Sequence, residues 1–304
     1  WYKARFGNQD SVYQISYIDS LGNKQTTQIA AYAPPKPKKD SLKTTTDTAS
    51  KSKSIKPVTP KKWTLLIDSA TSTAFMNLSS FSGRGFKKFI TKSFRNIKVS
   101  GVKNLVIDLR SNGGGEIKNS TLLTKYVSDH SFKIADSVFA NNRGIRKIPF
   151  GSYFSVMGHA FAKRMISKKM DGGGYHLKRY ETHYYQPFTK NHFDGNVYIL
   201  QGGYTFSAST LFTSPLINQN NVTIIGEETG GGFYGNSAIL IPTIKLPNSK
   251  LLFRLPLYRM VMDKTRPKGR GVVPDILVEP SSYAIKLGID NKLEAVKKLI
   301  QQKN

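Results

Sequence analysis

The chain has 304 residues, 46 lysines and arginines against 19 acidic residues, and a formal net charge of +27. It contains no cysteine, which excludes a disulfide scaffold, a cysteine-ligated metal site and a cysteine nucleophile. The length suits one large domain or two small ones, and the 38% of hydrophobic residues argues against global disorder. No apolar run is long enough to predict a transmembrane helix.

Residues 1–32 alternate apolar and polar side chains and turn at residues 21–23 (LGN), which predicts a pair of strands. A strand pair is too small to fold alone. The chain also opens at Trp1 without a leader sequence. We therefore expect residues 1–32 to be the remnant of an upstream domain or cap region, and the chain to be truncated at its N-terminus.

Residues 33–62 form a segment dominated by Lys, Thr, Ser and Pro, with nine lysines and two aspartates. Such a composition cannot bury enough apolar area to offset chain entropy, so we predict a disordered linker. An arm that binds polyanions is the alternative, although the segment lacks the aromatic residues that stack on single-stranded nucleic acid.

The body of the chain, residues 63–304, alternates predicted strands with predicted helices, which is typical of an α/β domain. Hydrophobic patterns predict strands at 63–68, 73–78, 104–109, 137–140, 196–200, 222–226, 238–241 and 251–255, and helices at 85–97, 117–127, 205–217 and from 291 onward. The continuous apolar run at 104–109 favours a strand buried on both faces. Residues 141–195 are predicted to form an irregular insertion or lid.

A glycine-rich turn follows the strand at 104–109, in residues 108–115 (DLRSNGGG), and precedes a predicted helix. Glycines allow close approach of a ligand, and the free N–H groups of a helix N-terminus favour negative charge. The turn is not a P-loop, because no Gly-Lys-Ser/Thr follows it. It is either a structural turn or a site for an anion, such as a developing oxyanion.

A second glycine-containing turn, residues 200–212 (LQGGYTFSASTLF), carries Ser207 between a predicted strand and a predicted helix. A serine at such a turn exposes its hydroxyl, and the N–H of the next residue, Ala208, can stabilise a tetrahedral intermediate. The competing interpretation is that Ser207 or Thr205 is an ordinary helix N-cap. If the two turns meet at the carboxyl edge of one sheet, they have the layout of an acyl-transfer site.

Four segments together resemble the tail-specific, or C-terminal-processing, serine peptidases of family S41. Residues 105–115 resemble the D-L-R-x-N-x-G-G segment of that family, residues 206–212 its nucleophile segment, residues 225–232 its G-E-x-T-x-G-K-G segment, and residues 271–275 its G-x-x-P-D turn. They occur in the family's order across residues 63–280.

The resemblance implies a crotonase-like α/β peptidase core at 63–304, usually preceded by a PDZ-like domain of which residues 1–32 would be the end. It implies that Ser207 is the nucleophile and that the N–H groups of Ala208 and of Gly115 or Gly114 form the oxyanion hole. It further implies protein or peptide substrates, no cofactor or metal, no specific nucleic-acid partner, and a bacterial periplasmic or envelope-attached location.

One departure concerns the general base, because the lysine of the G-E-x-T-x-G-K-G segment is replaced by Gly232. The variant is more similar to the tricorn-like branch, in which a histidine upstream of the PDZ-like domain is the base; Lys268 stands where the distal glutamate would be. The five histidines, and Lys245, Lys264 and Lys268, are the alternatives within this chain. Glu227 and Glu228 are expected to support their turn.

Three functions are therefore open at this point. The first is a serine endopeptidase whose base comes from the missing N-terminal part. The second is a catalytically inactive module of the same fold that binds a peptide or another ligand, a reading favoured by the missing lysine. The third is a basic protein that binds cell wall or nucleic acid, which rests on the net charge alone.

Overall fold

A computed structural model describes residues 12–18, 23–30, 61–143, 153–170 and 173–303 of the protein. The chain divides into two compact units, Trp1–Val58 and Thr59–Asn304. Within the described residues of the first unit, an antiparallel strand pair runs in register from Val12 opposite Ala30 to Ile18 opposite Lys24, as predicted. The predicted linker at 33–62 lies outside the described residues except for its last two positions, and the PDZ-like origin of the strand pair stays a prediction.

The described strands and helices follow one another in chain order. The strands are β1 Val12–Ile18, β2 Lys24–Ala30, β3 Trp63–Asp68, β4 Thr73–Leu78, β5 Asn104–Asp108, β6 Ser137–Ala140, β7 Lys168–Lys169, β8 Tyr175–His176, β9 Asn196–Gln201, β10 Val222–Gly226, β11 Gly235–Ile239, β12 Thr243–Lys245, β13 Leu252–Arg254, β14 Tyr258–Val261 and β15 Ile276–Leu277. The helices are α1 Phe86–Ser100, α2 Ile117–Val127, α3 Tyr153–Ile166, α4 Lys178–Thr182, α5 Ala208–Thr213, α6 Ser282–Lys286 and α7 Asn291–Lys303, and a 3₁₀ turn, Ser214–Leu216, follows α5.

The main sheet has six strands in the order β15-β10-β9-β5-β4-β3. All neighbouring strands are parallel except β3 and β4, which form an antiparallel pair. Asp108 at the end of β5 pairs with Leu200 in β9, and the next residue of β9, Gln201, pairs with Gly226 at the end of β10. The chain therefore leaves β5, β9 and β10 at the same edge of the sheet, as predicted for the first two.

Both faces of this sheet are buried, as the apolar run at 104–109 predicts. On one face Leu105 and Ile107 pack with the buried side chains of α1 and α2 in the largest core cluster. On the other face Val106 packs with Val296 and Ile300 of α7. Each fully buried aliphatic side chain contributes about 1.5–3 kcal/mol, so helices on both sides hold the strand ends in place.

A second sheet has the order β11-β14-β6-β8-β7 and its own core cluster, which includes Val138, Leu177 and Met260. The prediction that residues 141–195 are irregular was wrong in part, because α3, α4, β7 and β8 lie in this range. Strands of two residues and a helix of five are too short to show a hydrophobic periodicity in the sequence. The longer helix α3 has apolar side chains on its exposed surface as well, such as Phe161 and Met165.

Candidate active site

Ser207 lies at the sharp turn between β9 and α5, with the helix beginning at the next residue. Its backbone has φ 54° and ψ −115°. Non-glycine residues rarely adopt a positive φ, and such a conformation costs about 1–3 kcal/mol. A serine on a strained strand-to-helix turn, with its side chain partly exposed, has the geometry of a nucleophile elbow.

The N-cap interpretation was right about the position of Ser207 but wrong about the role of its side chain, and it was wrong for Thr205. Ser207 occupies the N-cap position, but its side chain makes no capping hydrogen bond. The hydroxyl of Thr205 instead donates to the carbonyl of Leu109 (3.0 Å) and accepts from the N–H of Gly202 (3.1 Å). Thr205 therefore joins the turn after β9 to the end of β5, and the Ser207 hydroxyl has no structural partner among the described residues.

The buried side chain of Asn112 holds the turn after β5 in place. Its Nδ2 donates to the Leu78 carbonyl (2.8 Å) and its Oδ1 accepts from the Gly114 N–H (2.9 Å). Its own carbonyl accepts from the N–H of Phe206 (3.2 Å) and from the hydroxyl of Ser209 (2.9 Å). The sequence analysis assigned no role to Asn112, because it is one of several polar residues in the segment 108–115 (DLRSNGGG) and its burial cannot be deduced from the sequence.

Gly114 lies directly against Ser207. A Cβ added to Gly114 would stand 2.8 Å from the Ser207 Cβ and 3.1 Å from the Ala208 nitrogen, so the two turns meet as predicted. Gly114 and Gly115 have φ of 103° and 147°, which favour glycine. The Gly114 N–H is bonded to Asn112, whereas the N–H groups of Gly115 and Ala208 donate to no acceptor in the described part of the chain.

The third turn, residues 227–234 after β10, packs beneath the serine. A Cβ on Gly231 would stand 3.0 Å from the Ser207 nitrogen. The Gln201 side chain donates to the carbonyls of Glu227 (3.1 Å) and Val272 (2.8 Å). At Gly232, where a lysine was expected from the resemblance, a Cβ would stand 2.8 Å from the carbonyl oxygen of Gly235. Any side chain at this position therefore requires the backbone at Gly235 to shift.

Gly232→Lys is expected to destabilise the protein by about 2 kcal/mol, because the backbone around residue 235 must move to admit a Cβ. It is also expected to give no new hydrolytic activity. Urea unfolding and a peptidase assay check both outcomes. Gly158→Lys on α3, where added atoms meet open space, is the matched control and should not destabilise the protein, because lysine also forms helix better than glycine. A stable Gly232→Lys protein with increased activity would contradict this picture.

No general base contacts the Ser207 hydroxyl within the described residues. The five histidines interact with other residues. Three of them form hydrogen bonds with carboxylates: His130 with Asp129, His176 with Glu181 and His192 with Asp194. His183 packs on the Tyr185 ring, and His159 of α3 also has an interaction partner. Lys268 lies over the Tyr234 ring, 5.3 Å from its centroid. Burial lowers the pKa of Lys163, but this lysine lies beside Tyr258 at the second core.

The two carboxylates of the third turn are engaged in ion pairs. Glu227 pairs with Lys292 of α7. Glu228 accepts hydrogen bonds from the Arg270 guanidinium (2.7 Å) and from the Gly271 N–H (2.6 Å), and these lower the pKa of Glu228. Both side chains support the turn rather than the serine. Among the described residues no group of His, Asp and Glu is arranged to hold a metal ion.

Arg110, in the first glycine-rich turn, connects that turn to the start of α7. Its guanidinium pairs with Asp108 (2.7 Å) and Asp290 (2.6 Å). Burial opposes the charged form of Arg110, but the two carboxylates outweigh it and raise the pKa of Arg110. Burial likewise opposes ionisation of Asp290, yet the hydrogen bond from Arg110 holds the pKa of Asp290 below its ordinary value of 3.8.

Arg110→Met is expected to destabilise the protein at pH 7 by about 2 kcal/mol, since two partly buried carboxylates lose their partner. The pKa of Asp290 is depressed in the folded state, so its contribution is present above pH 3.8 and is lost as the pH falls further. The difference between wild type and variant, measured by urea unfolding, should therefore shrink at pH 3. Lys297→Met, which removes an exposed pair with Glu294, is the control with an expected effect below about 0.5 kcal/mol. An equal loss at both pH values would contradict the ion-pair explanation.

The comparisons with known proteins identify the family and the fold. The sequence model of peptidase family S41 matches residues 72–278. The fold is similar to a "putative peptidase from Parabacteroides merdae" (19% identity, TM-score 0.54, 79% of this chain and 64% of that one) and to mature CPAF complexed with lactacystin (14% identity, TM-score 0.56, 95% and 67%). The chain thus spans about two thirds of each, and curated protein sequences give no match.

Proposed function

Since the chain belongs to peptidase family S41, we propose that it is the catalytic part of a serine endopeptidase that hydrolyses protein substrates, with Ser207 as nucleophile. One observation carries the proposal. Ser207 stands on a strained turn in contact with Gly114, and its hydroxyl forms no hydrogen bond with the residues that the structure describes. A backbone held at a costly φ and ψ beside a glycine turn is expected where the strain positions a reacting group.

The oxyanion hole in this proposal consists of the N–H groups of Ala208 and Gly115. Both are without an acceptor among the described residues, whereas the Gly114 N–H donates to Asn112. Gly114 itself provides the close approach between the two turns, because any side chain there would collide with Ser207. Donors fixed in advance stabilise the negative charge as it develops, an effect of about 3–4 kcal/mol for each donor.

The reaction follows from these positions. The Ser207 oxygen attacks the carbonyl carbon of the scissile bond while a base accepts its proton, and the carbonyl oxygen becomes an anion held by the two N–H groups. The tetrahedral intermediate then collapses, the C–N bond breaks and the amine leaves with the proton. Water attacks the resulting ester by the same route and releases the acid and the free serine.

The base in this proposal comes from a segment outside the described residues. A serine hydroxyl is a weak nucleophile without one, and no described side chain bonds to it. The tight backbone at Gly232 supports the tricorn-like solution, in which an upstream histidine approaches the serine, over a lysine in the third turn. The strands β1 and β2 are then the end of an upstream PDZ-like domain, and the main sheet a crotonase-like core.

The location we propose is the bacterial periplasm or cell envelope, which rests on the family resemblance. None of the helices in the described ranges is both long and apolar enough to span a bilayer. Extracts fractionated into cytoplasm, periplasm and membranes, and probed for the full-length protein, test this proposal. Recovery in the cytoplasm alone would reject it.

Labelling with a fluorophosphonate probe tests the enzymatic proposal in the full-length protein. We expect a covalent adduct at Ser207, located by peptide mass spectrometry, because the probe reacts with serines that have a base and an oxyanion hole. Ser214→Ala is the control, since this serine lies in ordinary helical geometry and should not affect labelling. A folded full-length protein that stays unlabelled but binds peptides would favour the inactive binding module instead.

A further inference from the structure

A basic cavity of about 830 Å³ opens at the N-terminal part of α2, the helix that follows the first glycine-rich turn. Its walls come from α1, from α2, from Ile134 and from residues 179–188. Ile117 and Lys118, the first two residues of α2, line it. Because Ile117 is two residues from Gly115, the Cα atoms of these two residues lie within about 7 Å of each other. This is a volume typical of ligand sites.

The charged side chains that line the cavity in the described part of the chain are all cations. The cations that line it are Lys87, Lys118, Lys125 and Arg179, and none of its described lining residues is acidic. Lys87 and Arg179 form no ion pair within the described part of the chain. Lys118 pairs only with the exposed Glu116 (2.7 Å), and exposed pairs are weak. Lys87 and Arg179 are thus available to bind an anion, and Lys118 can exchange its weak pair with Glu116 for a bond to the same anion.

The floor of the same cavity is apolar and aromatic. Ile117, Tyr180, Tyr185 and Phe188 line it. Tyr180, Tyr185 and Ile117 also pack against the second core cluster, so their positions are fixed by the fold. The Lys125 ammonium lies 4.1 Å from the centroid of the Phe188 ring. A rim of cations over an apolar floor suits a ligand that carries carboxylates next to an apolar side chain.

We propose that this cavity is a specificity site that holds an acidic segment of the substrate, with Asp or Glu side chains facing Lys87 and Arg179 and a neighbouring aliphatic or aromatic side chain on the floor. The proposal rests on the proposed peptidase function, because it makes the cavity an extension of the Ser207 site. In this proposal, part of the protein's positive charge serves to select acidic regions in substrate proteins.

The test uses the full-length protein with Ser207→Ala, which binds without cleaving. Two fluorescent peptides of identical length and apolar content, one with Asp and Glu and one with Asn and Gln at the same positions, are compared by fluorescence anisotropy. We expect the acidic peptide to bind at least tenfold more tightly. In the added double variant Lys87→Gln/Arg179→Gln this preference should fall to below threefold.

The matched control is Lys297→Gln/Lys298→Gln, which removes the same charge from the exposed surface of α7 and should keep the tenfold preference. Equal affinity for the two peptides, or an equal loss in the control, would overturn the proposal; if the cavity variant does not fold, the peptide comparison in the parent decides alone. A result against the cavity leaves labelling of Ser207 unaffected, so the two proposals fail separately.

Discussion

Ser207→Ala in the full-length protein is expected to lower cleavage of a casein-like substrate by a factor of 10³ or more, without unfolding the protein. Removing the oxygen removes the only group proposed to attack the substrate, and single knockouts of a serine nucleophile cost on the order of 10³–10⁶ in rate. Release of soluble peptides measures the activity, and circular dichroism confirms the fold. Ser214→Ala should cleave normally. Retained cleavage by Ser207→Ala would sink the nucleophile assignment.

The difference in stability between Ser207→Gly and Ser207→Ala tests whether the backbone at Ser207 is strained. Glycine tolerates φ 54° and ψ −115° where alanine does not, so Ser207→Gly should be about 1 kcal/mol more stable than Ser207→Ala. At Lys88, an exposed position in α1, the order should be reversed, with glycine about 1 kcal/mol worse than alanine. The same order at both positions would show that the turn at Ser207 carries no strain.

Gly114→Ala is expected to have the second large effect, with activity lower by about 100-fold or more and stability lower by about 2–4 kcal/mol. Its Cβ would stand 2.7 Å from the Phe206 carbonyl oxygen and 2.8 Å from the Ser207 Cβ, and its φ of 103° is unfavourable for alanine. The serine must shift, and a displacement of about 1 Å near a reacting group costs about 100-fold in rate.

Gly113→Ala is the internal control for this experiment. The residue is adjacent in sequence, but a Cβ there meets nothing within 4 Å and its φ is not positive. We expect its kcat/KM and its midpoint of urea unfolding to stay close to wild type. If both variants lose activity to the same extent, flexibility of the glycine turn, rather than contact between Gly114 and Ser207, explains the loss.

The sequence allowed the main sheet and its helices to be predicted closely, because long buried elements leave clear hydrophobic periods. The strands at 63–68, 73–78 and 222–226 and the helix at 117–127 have the predicted bounds. The meeting of the two glycine-rich turns was also predictable, since parallel strands place their carboxyl ends at one edge. What strand ends alone could not show is the backbone strain at Ser207.

The other differences between the predicted and the observed elements have a common physical cause. They arise where tertiary contacts, rather than the local sequence pattern, determine the structure. The helix predicted at 205–217 begins only at Ala208, because Thr205 bonds to Leu109 and Gly202 instead of starting the helix. The cavity lined by Tyr180 and Phe188 belongs to a region without periodicity, where sequence gives no contacts.

The ion pair between Arg110 and Asp290 gives the end of the chain an influence on a loop 180 positions away in sequence. Shortening the protein before Asp290, or fusing a tag that disturbs α7, would remove both the anchor of Arg110 and the cover over Val106. Expression boundaries drawn just beyond the last recognisable motif would therefore yield a protein whose first glycine-rich turn has lost its ion pair with Asp290. A lack of activity in such a protein would reflect the truncation and would not test the proposed function.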